Sequence, residues 1–396
     1  MASPVDTSVK HLHSGMAGAP TLNGVAGSMI DVLDAVLVTG CDFKNATSLA
    51  VLNGVATLSF SGSHSATVES VVLVSGVTGA LSALNGEQKV KAIGSGSVSF
   101  ATASANGTAT GTVSFKMAPA GWAKVFSATN IGVYRSQDPA GTQMYLRVDD
   151  TGTTSCRVIG YESMTDIDTG VGPFPLAAQQ AGGGFWAKSY SANSNAVRWS
   201  VIADARAALV SVAVFTSQST SAIGSNTRMF GDIVASKPGG DAFACVLGYS
   251  SGSNFNSREG CIGTANSAEQ AMPRSFTGLG SCVLHSNFSY TGINNALSGQ
   301  DPTLGSFPSP IDGGLRLSKR YVSELQQQPP RGDIPGLYTV PQSDAGRFFY
   351  DRVITAGTGI LAGRKLFSIT PTVANSIDWP STTTGVMFVD ITGPWR

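Results

Sequence analysis

The 396-residue sequence has few charged residues and no long apolar run. Asp, Glu, Lys and Arg make up 13% of the chain, against roughly 25% in an average globular protein. The 25 basic and 25 acidic residues cancel, and no basic cluster stands out. This balance argues against a nucleic-acid-binding or anionic-membrane-binding protein. No apolar run approaches the roughly 20 residues that a membrane-spanning helix needs.

Cysteine is also scarce, with five residues at irregular spacings and no CxxC pair. A disulfide framework uses an even number of cysteines, so we interpret these as small buried thiols of a protein that folds in a reducing cytoplasm. The first residues contain no basic segment followed by an apolar one, so a secretory signal is not expected. The five cysteines are Cys41, Cys156, Cys245, Cys261 and Cys282.

Glycine is abundant, at 47 residues, and turn-forming residues separate short apolar runs throughout the chain. The segment 197–249 contains four such runs. In one of them Val210, Val212 and Val214 alternate with other residues, which is typical of a β-strand with one β-branched face. Because charge is so sparse, we expect both faces of this central sheet to be covered. The predicted fold class is all-β, mainly antiparallel sandwich-like or barrel-like domains, with one or two short helices near the N-terminus.

Changes in composition divide the chain into four predicted regions. Residues 1–26 are predicted to be an arm that lies on another subunit, so that the body folds without it. Residues 27–118 are predicted to form a small β domain with one helix, and residues 119–310 a central β domain with long loops. Residues 311–396 are predicted to form a C-terminal β region packed on the central domain, with the chain terminus held in the fold.

Individual elements follow from local patterns. Ile30, Leu33 and Leu37 share one face of a helix predicted over 27–38. Asn53-Gly54 between two apolar runs predicts a hairpin with a type I′ turn. Residues 162–195 show no periodicity and are predicted to be a long loop that carries aromatic side chains. Strands are predicted over 49–52, 55–60, 68–74, 88–93, 97–101, 112–117, 130–135, 143–149, 155–161, 337–340, 348–355, 359–369 and 385–391.

Residues 248–252 (GYSSG) match the G-x-S-x-G pattern of serine hydrolases. A nucleophile elbow requires a helix directly after its serine, but residues 253–256 show no helical period. No aspartate occurs between Ser250 and His285, the only histidine that follows it. We therefore interpret the match as a chance occurrence in a chain rich in glycine and serine, and predict that the protein is not an enzyme.

Three further motifs have ordinary structural interpretations. His11 and His13 would share one face of a strand, but a transition metal needs three or four ligands, so we interpret them as solvated histidines. Residues 166–170 (DIDTG) begin like a calcium loop but lack the glutamate that completes it, which favours a turn stabilised by aspartate side chains. Residues 331–333 (RGD) match the tripeptide that integrins bind and are interpreted as an exposed turn. No metal and no cofactor is predicted.

Seven segments along the chain form a further pattern: 1–8 (MASPVDTS), 118–124 (APAGWAK), 145–152 (YLRVDDTG), 157–175 (RVIGYESMTDIDTGVGPFP), 230–233 (FGDI), 331–337 (RGDIPGL) and 390–396 (DITGPWR). Together they resemble a family of tailed-bacteriophage and prophage virion proteins. The resemblance spans the chain in order. It implies a place in the virus particle and does not imply an enzymatic activity.

From this resemblance we expect a structural component of the phage tail, in the baseplate or tail tip, that is assembled in the host bacterial cytoplasm. Its expected partners are other tail proteins and further copies of itself, arranged with cyclic symmetry. Two alternatives stay open: a capsid decoration or head–tail joining protein, and a host receptor-binding fibre module that uses loops 250–310. Seven residues are predicted to contact neighbouring subunits: Val5, His11, His13, Phe174, Phe185, Trp186 and Trp395.

Overall fold

The computed structural model describes residues 5–214, 226–253, 270–288, 303–324, 329–370 and 385–396. Nearly all of its regular structure is antiparallel β-sheet, so the predicted all-β class is confirmed. Several predicted features lie outside the described residues. These are Cys261 and about half of the loops 250–310.

The first two elements are strand β1 (Lys10–His13) and helix α1 (Ser28–Leu33). A π-helical segment over Asp34–Thr39 continues α1. The predicted helix and its apolar face are therefore confirmed. Side chains on other sides of the segment are buried too, which shows that it packs against more than one neighbour. The buried apolar side chains are Met29, Ile30, Val32, Leu33, Ala35, Val36 and Leu37.

The next strands form a closed barrel of six strands with one short outer strand. The order β3-β6-β5-β4-β8-β2 closes because β2 also pairs with β3. At the predicted hairpin, Asn53 and Gly54 have φ of 50° and 79°, as a type I′ turn requires. The strands are β2 (Cys41–Leu52), β3 (Val55–Phe60), β4 (Val71–Ser75), β5 (Gly86–Gly94), β6 (Ser97–Ala101), β7 (Gly107–Thr108) and β8 (Ser114–Met117), and a 3-10 helix spans Gly79–Leu84.

A second sheet of six strands follows. Met144, Leu146 and Val148 are buried while the residues between them are partly exposed, as predicted. Its order is β13-β12-β11-β10-β9, with β14 also on β12. The strands are β9 (Trp122–Ala128), β10 (Ile131–Ser136), β11 (Tyr145–Asp149), β12 (Ser155–Met164), β13 (Gly170–Phe174) and β14 (Gly184–Ala187).

Strands β13 and β14 correct the prediction that residues 162–195 are a long loop. Both strands are rich in glycine, which leaves no alternation of side chains to detect. A glycine of the neighbouring strand β12 has a packing role, because Gly160 pairs with Phe174 of β13, and a Cβ on Gly160 would lie 2.3 Å from the Phe174 ring. The aromatic ring thus covers the backbone where a side chain is missing.

The third sheet has thirteen strands and runs in the order β1-β15-β16-β17-β19-β20-β21-β22-β23-β26-β25-β24, with β18 on β23. Its strands besides β1 are β15 (Arg198–Ala203), β16 (Ala207–Ala213), β17 (Asn226–Asp232), β18 (Val234–Ala235), β19 (Cys245–Gly248), β20 (Gln270–Met272), β21 (Val283–Phe288), β22 (Ser318–Ser323), β23 (Gly332–Thr339), β24 (Ile354–Ala356), β25 (Lys365–Ile369) and β26 (Met387–Asp390).

The central strands of this sheet are buried on both faces, as expected from the low charge. Every residue of β16, β17 and β19 is buried. Val210 and Val212 join a core shared with the barrel, α1 and the second sheet. Leu209 and Met229, on the opposite face, join a separate core whose described members come from the large sheet and its connections. The central strands of the large sheet therefore separate two apolar cores, one on each face.

The large sheet also curls, because residues from its two ends enter the same core. Val9, directly before β1, and Phe367 of β25 both belong to the core on the Leu209 face. Arg352, beside β24, donates hydrogen bonds to the Ser200 hydroxyl (3.1 Å) and the Trp199 carbonyl (2.9 Å) of β15. The sheet thus wraps around its own apolar interior.

The N-terminal segment is part of this fold, which corrects the prediction of an arm on another subunit for residues 9–22. Strand β1 pairs with β15 over its whole length, and Leu22 forms a β-bridge with Val197. The Trp199 indole N–H donates to the carbonyl of Pro20 at 3.1 Å. The apolar side chains of the segment are widely spaced in sequence and so hide its packing role. Those buried are Val9, Leu12, Met16 and Leu22.

The C-terminal strands are shorter than predicted. Residues 348–353 are not a strand, because Asp344 and Arg352 adopt φ of 64° and 66°, which extended chain does not allow. Short 3-10 helices occupy Ala345–Arg347 and Gly359–Leu361. The terminus is held in the fold as predicted, since Trp395 is buried and its indole N–H donates to the Asp390 carbonyl at 2.8 Å.

Candidate functional site

Four of the seven predicted contact residues lie in the core of this chain: His11, Phe174, Trp186 and Trp395. The Trp186 indole N–H donates to the Gly248 carbonyl at 2.7 Å and so joins β14 to the large sheet. The His11 ring lies 5.9 Å from the ring of Phe367. The structure therefore corrects the prediction for these four residues, whose side chains stabilise the protein's own fold. The presence of aromatic residues in a sequence segment does not show whether they lie in the protein's own core or at a contact with another subunit.

Val5, His13 and Phe185 are partly exposed. The Arg157 guanidinium lies 3.9 Å from the centre of the Phe185 ring, a cation–π contact that covers one face of that ring. Backbone hydrogen bonds join Phe185 to Ser250 in both directions, at 2.9 and 3.0 Å. Contacts of these three residues with a neighbouring subunit stay a prediction.

The GYSSG segment has no hydrolase geometry among the described residues. Ser250 is buried, and its hydroxyl accepts a hydrogen bond from the Arg228 guanidinium at 2.5 Å. Its backbone continues the pairing with Phe185, so the serine lies in extended chain and not at a strained turn. His285 is buried in β21, where it pairs across the strands with Gln270. Neither side chain is placed for nucleophilic catalysis.

Three histidines are held neutral by their surroundings. Burial lowers the pKa of His11 to about 3, with the Lys89 charge as a further cause. Burial, then the charges of Arg352 and Arg198, lowers the pKa of His13 to about 4. Burial and the Arg331 charge lower the pKa of His285 to about 3. His11 is buried, so the expectation that it is solvated is wrong, whereas His13 is partly exposed.

These shifts predict that the protein loses stability in mild acid. A histidine whose pKa is lowered on folding takes up protons more readily in the unfolded state, so its contribution is complete above about pH 6.5 and falls as the pH drops towards 4 and then 3. A His11→Gln, His13→Gln variant should show a weaker decline in the free energy of unfolding between pH 7 and 4.5. Denaturant unfolding at several pH values measures how steeply the unfolding free energy changes with pH in the wild type and in the variant. Equal slopes would contradict the burial argument.

The other motifs are also part of the scaffold. The Asp166 carboxylate accepts hydrogen bonds from the backbone N–H groups of Asp168 and Thr169, both at 2.8 Å, and Asp168 pairs with Arg147. The predicted aspartate-stabilised turn is confirmed. Within the described ranges, no three His, Cys, Asp or Glu side chains come together as a metal site would require. Residues 332–333 begin β23 and the Arg331 side chain is buried, so the RGD tripeptide is not an exposed turn.

The cysteines that the structure describes are free thiols: Cys41, Cys156, Cys245 and Cys282. Burial raises the pKa of Cys41 and of Cys282 to about 11, and it raises those of Cys156 and Cys245 well above the usual value. Protonated, buried thiols are poor nucleophiles. Among the described residues, no helix is long and apolar enough to cross a bilayer.

An exposed apolar segment is the strongest surface feature. Residues 348–360 flank and include β24, the outermost described strand on its side of the large sheet. Ile360 is fully exposed, on the short helix after β24. Sequence reasoning missed this surface because it assigned residues 348–355 to a strand. The exposed apolar side chains are Phe348, Tyr350, Val353, Ile354 and Ile360.

Such a concentration of exposed apolar groups is typical of a protein contact surface. A β-strand at the edge of a sheet also offers unpaired backbone groups to another chain, and many proteins protect such edges with charge or proline. Strand β24 (Ile354–Ala356) carries neither. Within the described residues β24 pairs only with β25, so the surface around it can bury apolar side chains and offer backbone groups to another chain.

Comparisons with known proteins do not identify the chain: no protein-family model matches it, and no curated protein does.

Proposed function

We propose that the protein is a structural subunit of a bacteriophage virion, in the tail baseplate or tail tip, and that it acts by protein–protein assembly. The sequence resemblance described above suggests the particle. The observation that carries an assembly role is the exposed apolar segment 348–360 at the edge of the large sheet. Its proposed partners are other tail proteins and further copies of this chain.

The remaining surface supports a role of this kind. The formal net charge is zero, so long-range repulsion between copies is weak. Several groups that could be reactive lie inside the fold, namely the His11 and His285 rings, the Cys156 and Cys245 thiols and the Ser250 hydroxyl, which is bonded to Arg228. A β-sheet with an exposed apolar edge suits a component of a repeated assembly.

Substitution of the exposed isoleucines tests the proposal. In a phage that carries the gene, Ile354→Asp with Ile360→Asp should lower the amount of protein in purified particles at least about tenfold, because each isoleucine loses roughly 1.5–3 kcal/mol of burial at a contact. Quantitative mass spectrometry of the particles measures this amount. The unfolding free energy of the purified variant should change by less than about 0.5 kcal/mol for each exposed position.

Leu52→Asp is the matched control, because Leu52 is also well exposed but lies at the barrel hairpin. This variant should enter particles normally. Wild-type incorporation of the double isoleucine variant would remove the apolar segment as the assembly surface. Absence of the wild-type protein from purified particles would remove the virion role itself.

A further inference from the structure

We propose that a cavity formed by three strand connections of the large sheet is a binding site for an uncharged saccharide. The cavity has a volume of about 690 Å³, within the range of roughly 300–1,000 Å³ that is typical of small-molecule sites. Residues from three connections line it: β17 to β19, β20 to β21 and β22 to β23. Three chain segments thus converge on one concave surface.

One wall of the cavity is apolar and includes an aromatic ring. Phe276 is 59% exposed although its backbone is fixed, because its N–H donates to the Glu324 carboxylate. Pro329 and Pro330 add rigid apolar surface without backbone N–H groups. The face of an aromatic ring carries partial negative charge and attracts the polarised C–H groups on one face of a sugar ring. An exposed ring beside a cavity is suited to such stacking.

The floor of the cavity is a buried ion network. The Arg331 guanidinium makes two hydrogen bonds to the Asp241 carboxylate, at 2.7 and 3.1 Å, and one to Oε1 of Glu324 at 2.9 Å. Bidentate pairing fixes both partners in one geometry. Within the described part of the chain, Oε2 of Glu324 makes no hydrogen bond, so it can accept one from a ligand hydroxyl.

The charges of the lining cancel, which favours an uncharged ligand. Lys237 and Arg331 balance Asp241 and Glu324. The Lys237 ammonium lies 3.5 Å from the carbonyl of Phe276 and has no carboxylate within 4 Å in the described ranges. It can donate to a ligand oxygen while Glu324 accepts from another. Hydroxyl groups, which donate and accept, match this pair better than a carboxylate, which only accepts.

Saturation-transfer NMR on the full chain tests the site with four probes: glucose, galactose, N-acetylglucosamine and rhamnose. We expect saturation to pass from the protein to the ring C–H protons of at least one sugar. Phe276→Ala should lower this signal at least fivefold because the stacking surface is lost, and Lys237→Gln should weaken it. Phe43→Ala is the matched control, since Phe43 is 63% exposed on β2 of the barrel. It should leave the signal unchanged.

Three outcomes overturn the proposal. The first is no transfer to any of the four sugars. The second is a signal that Phe276→Ala leaves intact in a variant with wild-type unfolding behaviour. The third is tighter binding of decanoate than of any of the four sugars, which would assign the cavity to an amphiphilic anion held by Lys237. None of these results bears on the exposed segment 348–360, so the site and the assembly role fail independently.

Discussion

Deletion of residues 1–26 should leave a chain that does not fold stably. The deletion removes β1 and four buried apolar side chains, those of Val9, Leu12, Met16 and Leu22. Burial of each contributes roughly 1.5–3 kcal/mol, so the total loss is about 6–12 kcal/mol. Whole domains are stable by only about 5–15 kcal/mol. We therefore expect insoluble protein, or a soluble form without a cooperative unfolding transition in calorimetry.

Point substitutions separate this effect from a general sensitivity to changes near the N-terminus. Leu12→Ala should cost roughly 2–5 kcal/mol of unfolding free energy, because a cavity forms between β1 and the core. Thr21→Ala, at an exposed position of the same segment, should cost less than about 0.5 kcal/mol. A deleted chain that unfolds cooperatively at the wild-type midpoint would show that the segment is an independent arm.

Loss of one buried ion pair should have the next largest effect. The side chains of Lys188 and Asp150 pair with each other and are completely buried. The Lys188 ammonium also donates to the carbonyl of Val25 at 2.8 Å, while the second oxygen of Asp150 accepts from the backbone N–H of Met29 at 2.8 Å. The pair therefore joins the second sheet to the start of α1. Lys188→Met should lower the unfolding free energy by roughly 3–5 kcal/mol, since it leaves a buried carboxylate without a counter-charge.

Two comparisons make this prediction specific. Asp150→Asn with Lys188→Met removes both charges, so the double variant should be more stable than Lys188→Met alone. Arg316→Met breaks the exposed pair of Arg316 and Asp312, whose side chains are 40% and 49% exposed, and should cost much less than Lys188→Met because solvent screens the pair. Denaturant unfolding of the three variants gives all the values. A cost below about 1 kcal/mol for Lys188→Met would show that the pair does not hold α1 in place.

Local signals predicted much of the fold. The Asn53-Gly54 turn was predictable because its two positive φ angles require those residue types. The alternation around Leu146 and the valines near Val210 predicted strands and their buried faces, since a strand places alternate side chains on opposite sides. The helix near Ile30 followed from its apolar spacing.

Features that depend on distant residues were not predictable. Phe174 seemed available for a partner because nothing in the local sequence shows that its ring covers Gly160 on another strand. The burial of β1 depends on β15, almost 190 residues later. The cavity beside Phe276 is formed by three connections that are remote in sequence. The periodicity of apolar residues in the sequence shows which face of a single strand or helix is buried. It does not show which distant strands and connections pack together to form these sites.

The strand order of the large sheet also constrains how the protein is made. Its first strand lies near residue 10, while β26, which links β23 to β25, ends at Asp390. During synthesis Leu337–Thr339 of β23 therefore lack their partner strand until Met387–Val389 of β26 have left the ribosome. Such long-range pairing slows folding and exposes edges that favour aggregation. Slower translation or a chaperone that covers these edges should therefore raise the soluble yield.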